Sequence, residues 1–156
     1  KYVGGTEDIK IDASFATAFE VIEHVLDPLA FLSSAKQILR RGGLLMFTTL
    51  TVSGFDIQVL WEKSKRVYPR HHIILLSIGG FRKLVERSGL NLVHLCTPGE
   101  LDVDIVRNIC LENSDVEIPR FAASIVNASE KVRTDFQSFL KANNFSSHIR
   151  IIAKRL

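Results

Sequence analysis

The segment from Phe15 to Thr49 constrains the fold more than any other: an apolar run, a capped helix and a second apolar run follow one another through short joints. Phe15 to Ile22 (FATAFEVI) is too short for a helix of its own and reads as a buried strand ending near Phe19 or Glu20. Asp27 is placed to cap a helix with Pro28 in its first turn. Phe31, Leu32, Ala35, Ile38 and Leu39 recur at helical spacing, and Gly42 with Gly43 is expected to stop the helix. Leu44 to Thr49 (LLMFTT) then reads as a second buried strand. A strand–helix–strand unit of these lengths needs parallel strands and a right-handed crossover, so the chain is α/β.

The remaining elements continue the alternation. Asp56 starts a short helix through Leu60 and Trp61, and Ser77 caps another that runs through Phe81, Leu84 and Val85 to Gly89. Asn91 to Cys96 is a third strand. Asp102 to Glu112 and Pro119 to Ala128 read as helices, with Asp102 and Asp104 capping or decorating the first. Ser129 caps a last helix whose Val132, Phe136, Phe139 and Leu140 are expected to face inward, and His148 to Lys154 (HIRIIAK) is a closing strand. The expected organisation is a single partial domain over 1–156: a leading loop (1–14), a strand–helix core (15–96), a helical insertion (97–145) and the final strand (146–156).

Composition narrows the class. Across 156 residues, 46% are apolar and 24% charged, the profile of an ordinary globular domain. A net charge of +3 with no basic stripe argues against a nucleic-acid partner, and Lys154 with Arg155 reads as a solvated tail. Cys96 and Cys110 stand alone in apolar stretches and read as buried free thiols of a reducing compartment, without the clustering that zinc requires. Neither a membrane-length apolar run nor a signal-peptide pattern is found, so the expected location is cytoplasmic. Lys1 is not an initiator methionine, which suits a chain cut from a longer one or freed of a tag.

One ordered set of motifs points to a family. Glu20, Glu23 and His24 follow the first strand; Asp27-Pro28 opens the helix; Leu39-Arg40-Arg41-Gly42-Gly43 leads into the second strand. His72 then precedes Leu76-Ser77 and GFRKLVERSGL, and the chain closes on SSHIRIIAK. This order resembles the C-terminal half of class I S-adenosylmethionine (SAM)-dependent methyltransferases, covering Phe15 to Leu95 well and Thr97 to Asn144 weakly. The resemblance implies the fourth, fifth and sixth strands of a Rossmann-like sheet, a final antiparallel strand and extra C-terminal helices. It also implies that the glycine-rich turn and the acidic residue that hold SAM lie N-terminal to Phe15, so that this chain lacks the SAM loop. Val3-Gly4-Gly5-Thr6 fails as a substitute, because no strand precedes it and no helix follows.

Glu20, Glu23 and His24 sit where open parallel sheets bind ligands, outside the C-terminal strand ends. In the fold that the resemblance implies, Phe19 and Glu20 would line the SAM pocket. If helix begins near Glu20, then Glu20, Glu23 and His24 share one face at i, i+3 and i+4. Two carboxylates and an imidazole can bind a divalent cation, with His72, or less favourably His71, completing the set. E-x-x-E-H with a distant histidine resembles the metal site of small-RNA 2′-O-methyltransferases, and ubiquinone-pathway O-methyltransferases carry a similar segment. The resemblance implies a metal that lowers the pKa of the acceptor hydroxyls. Two alternatives stand beside it: His24 or His72 as a general base without metal, or a purely structural role. Trp61 and Tyr68 wall an acceptor pocket or belong to the core, Thr48 and Thr49 end the second strand and either face that pocket or serve structure alone, and His148 reads as structural.

The expected function is therefore SAM-dependent methyl transfer to an oxygen or nitrogen of a small acceptor, with a surface-polysaccharide sugar preferred. The rival is a non-catalytic interaction or substrate-binding half that homodimerises through the open edge of its first strand. A NAD-dependent enzyme lacks its glycine fingerprint here, and a hydrolase lacks G-x-S-x-G.

Overall fold

The computed structural model describes residues 11–68 and 71–156; Val3-Gly4-Gly5-Thr6 lies outside them. Four strands form one sheet: β1 (Ala13–Phe19), β2 (Leu39–Leu50), β3 (Asn91–Cys96) and β4 (His148–Lys154). Their order is β1-β2-β4-β3. β1 and β2 are parallel, and β4 enters antiparallel between β2 and β3. The α/β class, the parallel pair and the antiparallel closing strand agree with the sequence.

Helix α1 (Pro28–Ile38) crosses over from β1 to β2, and the Asp27 carboxylate accepts from the Ala30 N–H at 2.9 Å, as its capping position requires. Helix α3 (Ile78–Arg87) is capped by Ser77 and packs beside α1 on the same face of the sheet. Leu32 from α1 and Phe81 and Val85 from α3 meet Leu45, Phe47, Ile149 and Ile151 there, forming the main core. A second core joins helix α2 (Phe55–Leu60) to α4 (Asp102–Glu112), α5 (Arg120–Val126) and α6 (Glu130–Ala142), around Leu60, Val106, Val126 and Leu140.

Five expectations need correction. β1 is not buried on both faces: Ala16 and Ala18 lean on the core, but Phe15 and Phe19 are more than half exposed, because both sheet-covering helices lie on the other side. The glycine pair does not stop α1. The helix ends at Ile38, where the Arg155 guanidinium donates to the carbonyls of Lys36, Gln37 and Leu39, while Gly42 (φ +79°) turns inside an irregular start of β2. Arg155 is thus a helix clamp and Lys154 a paired strand residue rather than a solvated tail. Cys96 and Cys110 are only half-buried, and Cys96 Sγ accepts from Arg150. On α6, Phe136 and Leu140 face the core, whereas Val132 and Phe139 are exposed.

Candidate functional site

The C-terminal ends of β1 and β2 and the start of β4 meet at one edge of the sheet, where His148 pairs with Leu50. Glu20 leaves β1 in a left-handed conformation (φ +51°), uncommon for a residue with a side chain. Its N–H donates to the Thr48 carbonyl at 3.0 Å. Its carboxylate accepts from Thr48 Oγ1 at 2.7 Å and from His148 Nε2 at 2.9 Å. Burial works against the Glu20 charge, but the hydrogen bonds from His148 and Thr48 outweigh it and hold the carboxyl below its ordinary range.

The chain then makes a 3-10 turn over Ile22–His24. This turn buries Glu23, whose Oε2 accepts from Thr49 Oγ1 at 2.7 Å. The Glu23 carbonyl accepts from the N–H groups of Ile73 and Ile74, pinning the returning segment over the strand tip. That segment brings His72 to His24, with ring centroids 5.2 Å apart. His24 Nδ1 donates to the His71 carbonyl, and His72 Nδ1 donates to the Arg66 carbonyl at 2.6 Å. Carbonyl partners assign the proton to Nδ1 in both rings and leave both Nε2 lone pairs free. One ligand-capable atom each from Glu23, His24 and His72 lies within 4.8 Å of the others. A buried carboxylate with two such imidazoles fits a divalent transition cation.

The structure therefore brings Glu23, His24 and His72 together, while the Glu20 carboxylate stays beside Glu23 but takes Thr48 and His148 as its partners. Glu20 is not on a shared helical face, because its left-handed backbone precedes the turn and aims the carboxylate at Thr48 and His148. His71 contributes its carbonyl, while its ring stacks on Tyr68 at 5.0 Å. Thr48 and Thr49 each spend a hydroxyl on a carboxylate, Thr48 on Glu20 and Thr49 on Glu23. His148, read as structural, is a member of the tip. Phe19 and Trp61 are exposed.

Three features were missed in the sequence. Asp56 is fully buried in α2, 2.9 Å from Arg66 Nε, and burial pushes its pKa up to about 6 against the pull of Ser147 and Arg66. Asp102 does not decorate α4: it is buried and accepts from Ser146 Oγ (2.5 Å), the Ser147 N–H (2.7 Å) and Gln137 Nε2 (2.7 Å). Burial opposes its charge, but these donors prevail and lower its pKa. Neither acid differs, as a letter, from a solvated one near a helix start. Beyond the end of β2, Phe55, Phe121, Phe136, Phe139 and Phe145 line an apolar groove; their scatter along the sequence hid it.

A family profile described as a methyltransferase domain matches residues 9–95. The chain belongs to this family, the class I SAM-dependent methyltransferases. The methyltransferase domain is 30% identical over 106 residues to the tRNA U34 carboxymethyltransferase of Alteromonas mediterranea, covering 67% of this chain and 32% of that protein. The chain thus spans about a third of the length of the curated relative it matches. Among solved structures it is similar to a SAM-dependent methyltransferase of Thermotoga maritima (TM-score 0.55, 14% identity, 96% of this chain, 59% of that one). It is also similar to phosphoethanolamine N-methyltransferase 2 of Haemonchus contortus in complex with SAM (TM-score 0.51, 13% identity, 91% and 33%). At these identities the structures show the fold of the methyltransferase domain.

Proposed function

We propose that this chain forms the acceptor side of an enzyme that moves the SAM methyl group to an oxygen or nitrogen of a small acceptor. The observation that carries the reading is the Glu23–His24–His72 cluster, set outside the C-terminal ends of parallel strands in a methyltransferase domain. SAM supplies an electrophilic methyl on a sulfonium. The protein's task is to align the acceptor with it and remove a proton. Phe19 offers an exposed ring and Glu20 an anionic carboxylate to a cofactor that is cationic at sulfur. His24 and His72 each present Nε2, which either takes the acceptor proton directly or joins Glu23 in holding a divalent cation. Such a cation would polarise the acceptor oxygen and lower its pKa.

A sugar is the preferred acceptor, supported by the resemblance to polysaccharide-pathway methyltransferases; the curated relative adds tRNA as the second acceptor to assay. The free Cys96 and Cys110 support a cytoplasmic location. No helix among the described residues is long and apolar enough to cross a membrane.

The test is isothermal titration of SAM, with and without Mg²⁺ or Zn²⁺, into this chain and into a version extended upstream. Binding by the longer protein alone, or by both, supports the reading. Binding by neither rejects it in favour of an interaction module that pairs through the open edge of β1.

A further inference from the structure

Asp56 is a fully buried acid with no part in the chemistry above, yet it stands two links from His72. The first link is ionic: Arg66 Nε lies 2.9 Å from Asp56 Oδ2. The second is the Arg66 backbone: its N–H donates to Ser64 Oγ at 3.2 Å, and its carbonyl accepts from His72 Nδ1 at 2.6 Å. One residue is thus gripped at its side chain by the interior and delivers its carbonyl to the site.

Among the described residues of this loop, the other ionic tie, Lys65 to Glu112, is solvent-exposed and worth little. The Asp56–Arg66 pair is the tie with an end in the core. Buried pairs of this kind contribute little net stability, and their best-attested use is to enforce one geometry.

We propose that Asp56 is a positioning residue for His72: through Arg66 it fixes the carbonyl that takes the Nδ1 proton, and so keeps the Nε2 lone pair aimed at Glu23 and His24. Asp56 is itself fully buried and acts through Arg66. Arg66 is a bridge whose side chain and main chain face opposite ways, and its fork-shaped guanidinium suits a fixed carboxylate better than an ammonium would. The inference rests on reading Glu23, His24 and His72 as the reactive cluster.

The experiment uses the full chain and two readouts. Long-range ¹H–¹⁵N spectra report the tautomer of each histidine ring, and visible absorption follows binding of Co²⁺ alone. In the wild type, His72 and His24 are both expected as Nδ1–H. Asp56→Asn should convert His72 to mixed tautomers and weaken Co²⁺ binding about 10- to 100-fold, the range for loss of outer support to a ligand. His24, whose Nδ1 rests on the His71 carbonyl, should keep its signature; general loosening would move both rings. If Asp56→Asn does not fold, the pair Asp56→Asn with Arg66→Met decides, because exchanging a buried charge together with its half-buried partner for neutral groups leaves no charge unpaired. A folded variant in which His72 keeps its tautomer overturns the proposal. A wild type that takes up no Co²⁺, but whose His72 still shifts on Asp56→Asn, rejects the metal site and leaves the relay standing.

Discussion

Thr49 Oγ1 donates to Glu23 Oε2 across 2.7 Å at a point where neither side chain reaches solvent. A strand hydroxyl thereby holds the one carboxylate of the Glu23–His24–His72 cluster. Thr49→Val keeps the shape and deletes the donor, leaving a buried carboxylate oxygen unsatisfied. Urea unfolding should show a loss of about 1–3 kcal/mol, with Thr49→Ser close to wild type. Equal stability of the valine variant would show that the bond carries no net weight.

Asp56 should tilt the pH profile of stability in an unusual direction. Burial raises its pKa from an ordinary 3.8 to about 6. Between those values the folded chain holds a proton that the unfolded chain has released, so stability falls as pH rises through that window and is indifferent to Asp56 outside it. The gap corresponds to about 3 kcal/mol. Relative to wild type, Asp56→Asn should therefore gain about that much stability between pH 4 and pH 7, read from urea midpoints. A flat difference would sink the assignment. The same variant, whose stability relative to wild type rises with pH, is expected to loosen His72.

Asp102 should behave in the opposite sense. Its folded pKa is depressed, so its contribution is present above the unfolded value and is lost as pH falls through the folded one. Asp102→Asn breaks a buried anion's contacts with Ser146, Ser147 and Gln137 and should cost about 3 kcal/mol at pH 7. That deficit should shrink on acidification. A deficit that stays constant down to pH 3 would mean that the charge is irrelevant and only shape matters.

Gly54 joins the end of β2 to α2, and a Cβ there would run into the Ser147 backbone. Gly54→Ala should lower stability by about 1–3 kcal/mol by forcing α2 away from the start of β4. Thermal melting tests this, and a Tm within a degree of wild type would refute the close approach.

What was legible in the sequence was local. The caps at Asp27, Ser77 and Ser129 each bond within three residues, so their letters suffice. Strand limits at Phe19 and Cys96 follow from short apolar runs. The failures involve partners distant in sequence. What ends α1 is Arg155, not the nearby glycines. Glu20 turns to His148, 128 positions away, through a backbone conformation that no glutamate announces. Helical spacing put Phe136 and Phe139 on one stripe of α6 but could not tell which part of that stripe the core covers. At the site, residue types and order were readable for Glu23, His24 and His72. The orientation of each ring was not, because it depends on the carbonyls of His71 and Arg66.

The place of β4 in the sheet has a consequence for how the chain acquires its shape. β2 and β3 never pair with each other; β4 stands between them and pairs with both. β1, α1 and β2 are contiguous and can associate early through short-range contacts, but among the described strands β3 pairs only with β4 and waits for it. On the ribosome, the β3 edge would stay open through synthesis of the whole helical stretch from α4 to α6. That interval, rather than any weakness of the finished core, is when this domain is most exposed to aggregation and to chaperone capture.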